Sequence, residues 1–230
     1  MAFPSDTRQT VLQIINQVQR LIGVDTTTTL TATKSTHLYL RFLNEVIAEC
    51  ADAGDWLELY DEVLVTAQSS VSQYTISATD PVHHVHEIRW GNDSSPLDHR
   101  SIEYMRRLLA RPSYGTPRQF ALTGVDSATN QPKFSTYQIP VTAKTFDVAF
   151  YKKPPLYDTN CTEDEPPFPA NVLIKGTHAK ALLDENGGEP TQQWEAVYRE
   201  YLNLRHEALN RWTADTGTDI YLVPMQGRRI

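Results

Sequence analysis

The sequence predicts an α+β protein in which N-terminal and C-terminal helices form an antiparallel-type bundle around an inserted β-sandwich or barrel, followed by an extended arm. Three observations predict this class. Apolar residues recur every three or four positions in 1–58 and in 155–214, the period of amphipathic helices. In 59–154 they alternate, as in strands. The last segment, 215–230, has neither period.

Two helices are predicted in the first 58 residues. Ser5 or Asp6 can cap the first, over 6–22. Ser35 can cap the second, over 35–52. The Thr-rich stretch between them lacks a helical period and is predicted to be an extended loop. The residues expected on the buried face of the second helix are Tyr39, Phe42, Leu43, Val46, Ile47 and Cys50.

Six strands and one short helix are predicted in the β-rich insertion. Most of the strands are bounded by Gly, Pro, Asn or Asp, which are typical turn residues. The helix covers 101–110 and interrupts the strands. The predicted strands are 62–67, 72–77, 84–90, 118–123, 134–139 and 146–152.

Two further helices are predicted after the insertion. The first covers 170–186, and the second begins at Pro190 and runs to 213. Neither helical part can bury its apolar stripe alone, so 1–58 and 155–214 are expected to pack as one up-down bundle. The predicted buried seam of the last helix is Trp194, Val197, Tyr198, Tyr201, Leu204, Ala208 and Trp212.

Composition excludes several classes of function. The chain has 230 residues, enough to bury a core without disulfides, and a net charge of −7, which disfavours clamping a phosphate backbone. The longest apolar run is four residues, and the start lacks a secretory signal pattern, so no membrane contact is expected. Nucleotide-binding glycine loops, nucleophile elbows and zinc-protease helices are also missing from the sequence, so neither catalytic residues nor a cofactor are expected.

The segment from His83 to Glu87 is the strongest metal-like pattern. On a strand, His84 and His86 would share a face, which is a workable spacing for two ligands. Since neither cysteine lies close in sequence, the pattern is interpreted as the polar face of a strand rather than a metal site. A metal-dependent hydrolase that uses this cluster, or a non-viral ligand-binding β-module, is the alternative function. Possible third ligands are His99 and His178.

Several segments resemble, in order, the head–tail adaptor (head-completion, or tail tubular protein A) proteins of short-tailed bacteriophages. These segments are FLNEVIAE at 42–49, GTPR at 115–118, FYKKPP at 150–155 and PPFP at 166–169. Trp56 and the strand around Tyr74 also fit the pattern. The likeness covers nearly the whole chain.

The resemblance implies a structural protein with no enzymatic activity. Such proteins carry a β-domain on a helical bundle and assemble as dodecameric rings below the portal. The implied partners are the portal protein, tail (nozzle or fibre) proteins, other copies of the chain, and double-stranded DNA that passes through without specific binding. The implied location is the head–tail interface of the virion, after assembly in the host bacterial cytoplasm.

Three sets of residues are the candidates for this role. The acidic candidates for the channel wall are Glu45, Glu49, Asp184 and Glu195. The basic candidates for contacts between subunits, on the predicted short helix, are Arg106, Arg107 and Arg111. The candidates for a portal-docking arm within 215–230 are Ile220, Tyr221, Leu222, Val223, Pro224, Met225, Arg228 and Arg229.

Overall fold

A computed structural model describes residues 8–91 and 95–216 of the chain, with side chains described up to residue 210. Its class is α+β, as predicted. The described helices are Val11–Ile22 (α1), Lys34–Ala53 (α2), Ile102–Leu109 (α3), Ala170–Glu185 (α4) and Gln192–Thr216 (α5). The described strands are Tyr60–Thr66 (β1), Gln73–Thr75 (β2), Val82–Trp90 (β3), Asp98–His99 (β4), Gln119–Val125 (β5), Pro132–Tyr137 (β6) and Thr145–Lys152 (β7).

The chain divides into two compact units. The β unit is Leu59–Lys153, and the helical unit combines the residues up to Glu58 with those from Pro154 onward. In the helical unit, α4 packs against α1, α2 and α5.

Helix α1 begins later than the sequence predicted. Thr10 is its N-cap: the Thr10 hydroxyl accepts from the Gln13 amide at 3.3 Å, and the Gln13 side chain accepts from the Thr10 amide at 3.1 Å. This reciprocal capping box satisfies two backbone N–H groups, those of Thr10 and Gln13. A cap without a Gln or Glu three residues later would satisfy only one of them. The predicted caps Ser5 and Asp6 lie outside the described residues.

The Thr-rich loop is anchored at both ends and in the middle. The Asn16 side chain donates to the Thr27 carbonyl at 3.0 Å and accepts from the Thr27 amide at 2.9 Å. Leu30 is fully buried, which the sequence reasoning missed. Thr33, not the predicted Ser35, caps α2 by accepting from the Thr36 amide at 3.2 Å. The predicted buried face of α2 is confirmed in full.

Helix α4 is buried on most of its surface, which corrects the expectation of a single apolar stripe. Its neighbours α1, α2 and α5 lie on different sides, so small residues and two polar ones, Thr177 and His178, are buried with the apolar residues. Gly176 allows the closest approach. A Cβ there would lie 2.6 Å from Val46 Cγ1 and 2.9 Å from Tyr201 Cε2.

Helix α5 begins after Pro190, because the Thr191 hydroxyl accepts from the Trp194 amide at 3.2 Å. Tyr201 is fully buried, as predicted. Trp194 is only half-buried and stacks on Tyr198, with ring centroids 4.9 Å apart, so this end of the predicted seam is wrong. Most residues of the first turns of α5 are exposed, and Tyr198 is among them.

The β unit contains two open sheets among its described residues. Their strand orders are β1-β7-β3 and β2-β6-β5-β4, so the barrel alternative is wrong for this part of the chain. Side chains from both sheets share one core, which includes Val65 and Val148 from the first and Phe134 from the second. All six predicted strands are present with shifted ends, and β4, which pairs parallel to β5, was missed.

Candidate interaction surfaces

The arginine cluster lies on α3. The Ser101 hydroxyl caps this helix by accepting from the Tyr104 amide at 3.3 Å, and Met105 is its buried anchor. Arg106 and Arg107 are exposed in the last turn, where helix carbonyls favour a cation, and Arg111 is exposed just beyond. The residues Arg106, Arg107 and Arg111 are called the α3 arginine cluster below.

Helix α3 covers the side of the second sheet that faces away from the core. Met105 and Arg106 line a cleft of about 310 Å³ together with Gln73 and Ser135. The sequence neighbours of those two strand residues, Tyr74 and Phe134, belong to the core. Because side chains alternate between the faces of a strand, Gln73 and Ser135 lie on the opposite face, and α3 packs there.

A second surface lies on the first sheet, on the face away from the core. The strand register places Glu62, Ala149 and Glu87 side by side, and it places Leu64, Asp147 and Arg89 in the next row. Tyr60 and Tyr151 form the row on the other side of Glu62, away from Asp147, with ring centroids 5.7 Å apart. The residues Glu62, Glu87, Asp147, Tyr60 and Tyr151 are called the outer acidic face below.

The carboxylates of the outer acidic face act on the neighbouring Tyr60 hydroxyl. Burial raises the pKa of Tyr60, and a hydrogen bond to Glu62 and the negative charge of Glu62, Glu87 and Asp147 raise it further. Glu87 forms an ion pair with Arg89. Sequence reasoning missed this surface, because its residues come from three strands whose pairing the sequence does not specify.

Two histidines of the segment from His83 to Glu87 contact the ring of one tyrosine, Tyr151. His84 stacks on Tyr151 at 4.7 Å between ring centroids and His86 meets the same ring edge-on at 5.8 Å, so the expectation that both histidines share a face is confirmed. His99 packs against Phe120 with tilted rings and lines a cleft of about 270 Å³ with His86 and Glu87. The other suggested ligand, His178, is buried in α4 of the helical unit. Among residues 8–91 and 95–216, no three His, Cys, Asp or Glu side chains are grouped closely enough to hold a metal ion.

The acidic candidates differ in how much of their charge is balanced. Lys180 forms ion pairs with Glu49 at 2.7 Å and with Glu45 at 3.2 Å. Burial alone would lower the pKa of Lys180, but its hydrogen bonds and attraction to these two carboxylates raise it. Asp184 and Glu195 are exposed and have no ion-pair partner among the described side chains.

Comparison with known proteins decides the family. The family model of the SU10 adaptor protein matches residues 9–222 of the chain. The chain belongs to the SU10 adaptor protein family. This match confirms the resemblance to phage head–tail adaptor proteins. No curated protein matches the chain.

Two contacts in the helical unit join segments that carried the resemblance. Asn44, in the first segment, donates to the Tyr157 carbonyl at 2.8 Å and accepts from the Tyr157 amide at 2.9 Å, just after the FYKKPP segment. Trp56 is fully buried and meets Phe168 of the PPFP segment with ring centroids 4.8 Å apart. These contacts therefore contribute to the packing of the helical unit, which the SU10 adaptor family model covers together with the β unit.

Membership of the SU10 adaptor family indicates the general function of the chain. The chain is a structural adaptor component of a phage virion and interacts with other phage head and tail proteins. Phage adaptor families are generally structural and non-enzymatic. No helix within the described residues is long and apolar enough to cross a membrane.

The portal-docking candidates fall outside the described residues. The candidates from Ile220 to Arg229 all follow Thr216, the last described residue, so their placement stays a prediction. The SU10 adaptor match nevertheless extends to residue 222 and includes the first three of them.

Proposed function

We propose that this chain forms a dodecameric ring that links the portal to the tail and lines the DNA exit channel. The observation that carries this proposal is the adaptor-family match, which spans residues 9–222 and thus both compact units. The tail (nozzle or fibre) proteins bind the far side of the ring. Assembly takes place in the host bacterial cytoplasm, with neither a cofactor nor a membrane partner.

The helical unit supplies the channel wall in this proposal. Residues 155–214 carry ten acidic and five basic side chains, and 1–58 carry seven and four. Like charge within about 8–10 Å of the duplex repels it, so the DNA slides without binding. Because Lys180 neutralises part of the charge on Glu45 and Glu49, Asp184 and Glu195 contribute more of the repulsion.

The C-terminal arm attaches the ring to the portal in this proposal. Tyr221 and Leu222 insert into a portal groove, with apolar neighbours such as Val223 completing the contact. Pro224 restricts the backbone of the arm and so lowers the entropic cost of docking, and Arg228 and Arg229 meet acidic portal surface. The α3 arginine cluster lies in the other compact unit and contributes to contacts between subunits.

Reconstitution tests this proposal. Phage heads that carry a portal but were made without this protein should gain tails when the purified chain and tail proteins are added, and not when the chain is omitted. Heads that acquire tails equally well without the chain would refute the adaptor role.

A further inference from the structure

The β unit carries surfaces of opposite charge on its two outward sides. Val65 and Val148 of the first sheet share a core with Phe134 of the second, so the core lies between the sheets. The outer acidic face is on the side of the first sheet away from this core. Helix α3, with its arginine cluster, covers the side of the second sheet away from the core. The two surfaces therefore lie on opposite sides of one unit.

The chemistry of the outer acidic face suits an arginine side chain. Glu87 is balanced by Arg89, while Glu62 and Asp147 form no ion pair with any described cation. Tyr60 lies in the adjacent row, beside Tyr151, whose ring is already in contact with His84 and His86. A guanidinium can bind a carboxylate in a two-pronged manner and stack on an aromatic ring, so Glu62 beside the Tyr60 ring suits arginine better than lysine.

The α3 arginine cluster has the complementary properties. All three side chains are exposed, and no described carboxylate forms an ion pair with them. Met105 and the Ser101 cap hold the helix, so the arginines are displayed from an ordered element. Because the helix that carries the arginines is already ordered, less conformational entropy is lost when they dock.

We propose that the α3 arginine cluster of one copy docks on the outer acidic face of the next copy. This inference rests on the ring proposed above and identifies its subunit contact. Two different surfaces on opposite sides of a unit make a head-to-tail contact, which generates a closed ring when the rotation between neighbours closes. A two-fold dimer would instead bring identical surfaces together.

The contact is tested with two charge-reversal variants, which are measured separately and then as a mixture. Arg107→Glu and Glu62→Lys each place like charges across the interface, and each should raise the concentration needed for half-assembly by at least about tenfold. Both side chains are exposed, so both variants should melt like the unchanged protein. An equimolar mixture should assemble again as alternating copies, because every interface then pairs either two native or two reversed charges. The same recovery is expected when both changes are in one chain.

Arg118→Glu is the matched control, since Arg118 is an exposed arginine of the same unit outside both surfaces. It should assemble normally. Assembly is measured by analytical ultracentrifugation of the free chain and by the number of copies bound to portal-bearing heads. If the unchanged chain binds heads, and the single reversals do so equally well or the mixture does not recover, the proposed contact is wrong and the adaptor role stands. If the unchanged chain neither associates nor binds heads, the adaptor role fails, and the contact fails with it.

Discussion

Gly176 is the residue at which the packing of the helical unit can be tested most sharply. In Gly176→Ala, the new Cβ would lie 2.6 Å and 3.0 Å from the two methyl groups of Val46 and 2.9 Å from the ring of Tyr201. Real Cβ atoms essentially never come that close, so the side chains of Val46 and Tyr201, or the helices that carry them, must shift. Overpacking of this kind costs about 1–3 kcal/mol.

Helix propensity works against this cost. Alanine is favoured over glycine within a helix by about 0.5–1 kcal/mol. The net expectation for Gly176→Ala is therefore a loss of roughly 1 kcal/mol in the free energy of unfolding, because the typical overpacking cost exceeds the propensity gain. The measurement is denaturant unfolding followed by circular dichroism at the helical band. Ala48→Gly, at an exposed site of α2, calibrates the propensity contribution alone.

A double-mutant cycle separates the steric cost from other causes. Val46→Ala removes both methyl groups that the new Cβ would meet, so Gly176→Ala should be less costly in that background by about 1 kcal/mol, within the range usual for residues in contact. Two results would rule out a steric clash at Val46. Either Gly176→Ala raises the stability by the amount that alanine is favoured over glycine in a helix, or the effects of the two changes are simply additive.

Three further predictions concern the helical unit and the arm. Leu43→Ala should cost about 2–5 kcal/mol because Leu43 is fully buried, whereas Trp194→Ala should cost less because Trp194 is half-buried; equal melting curves would contradict this. Burial, with a smaller effect from Lys175, lowers the pKa of His178 below its ordinary 6.5, so the unfolded chain binds the proton more readily. Stability should therefore fall as pH drops below about 6.5, and a His178→Leu variant that keeps the same loss would contradict this cause. Truncation after Thr218 should leave the melting temperature almost unchanged and abolish attachment to portal-bearing heads; a much earlier melt would show that the arm belongs to the fold.

Helices and strands that bury one face could be predicted from the sequence, because their apolar residues recur at a regular spacing. The buried face of α2 and the six longer strands were found in this way. Three features without a period were missed. The two-residue strand β4 is too short to alternate, and Leu30 is a single buried residue in a loop. Helix α4 is enclosed by neighbours, so its apolar and small residues surround the helix instead of forming one stripe.

The same contrast holds for the candidate surfaces. The three arginines of the α3 arginine cluster all lie within 106–111, so the sequence alone revealed the cluster. The outer acidic face was not visible because Glu62, Glu87 and Asp147 meet only through the register of β1, β7 and β3. Similarly, nothing local in the sequence indicates that Glu45 and Glu49 share Lys180, since that contact joins α2 to α4. Properties of a single segment could be predicted from the sequence, whereas contacts between segments far apart in the sequence became visible only in the folded structure.

Cryo-electron microscopy of the portal vertex tests the central claim most directly. Virions that contain the protein are compared with particles assembled without it, and antibody fragments to the chain mark its copies. We expect a ring of density between portal and tail, absent from the second set, into which copies of the helical and β units fit around the DNA channel. Density for this chain at any other place in the particle, or an unchanged portal–tail junction in its absence, would rule out the proposed adaptor ring.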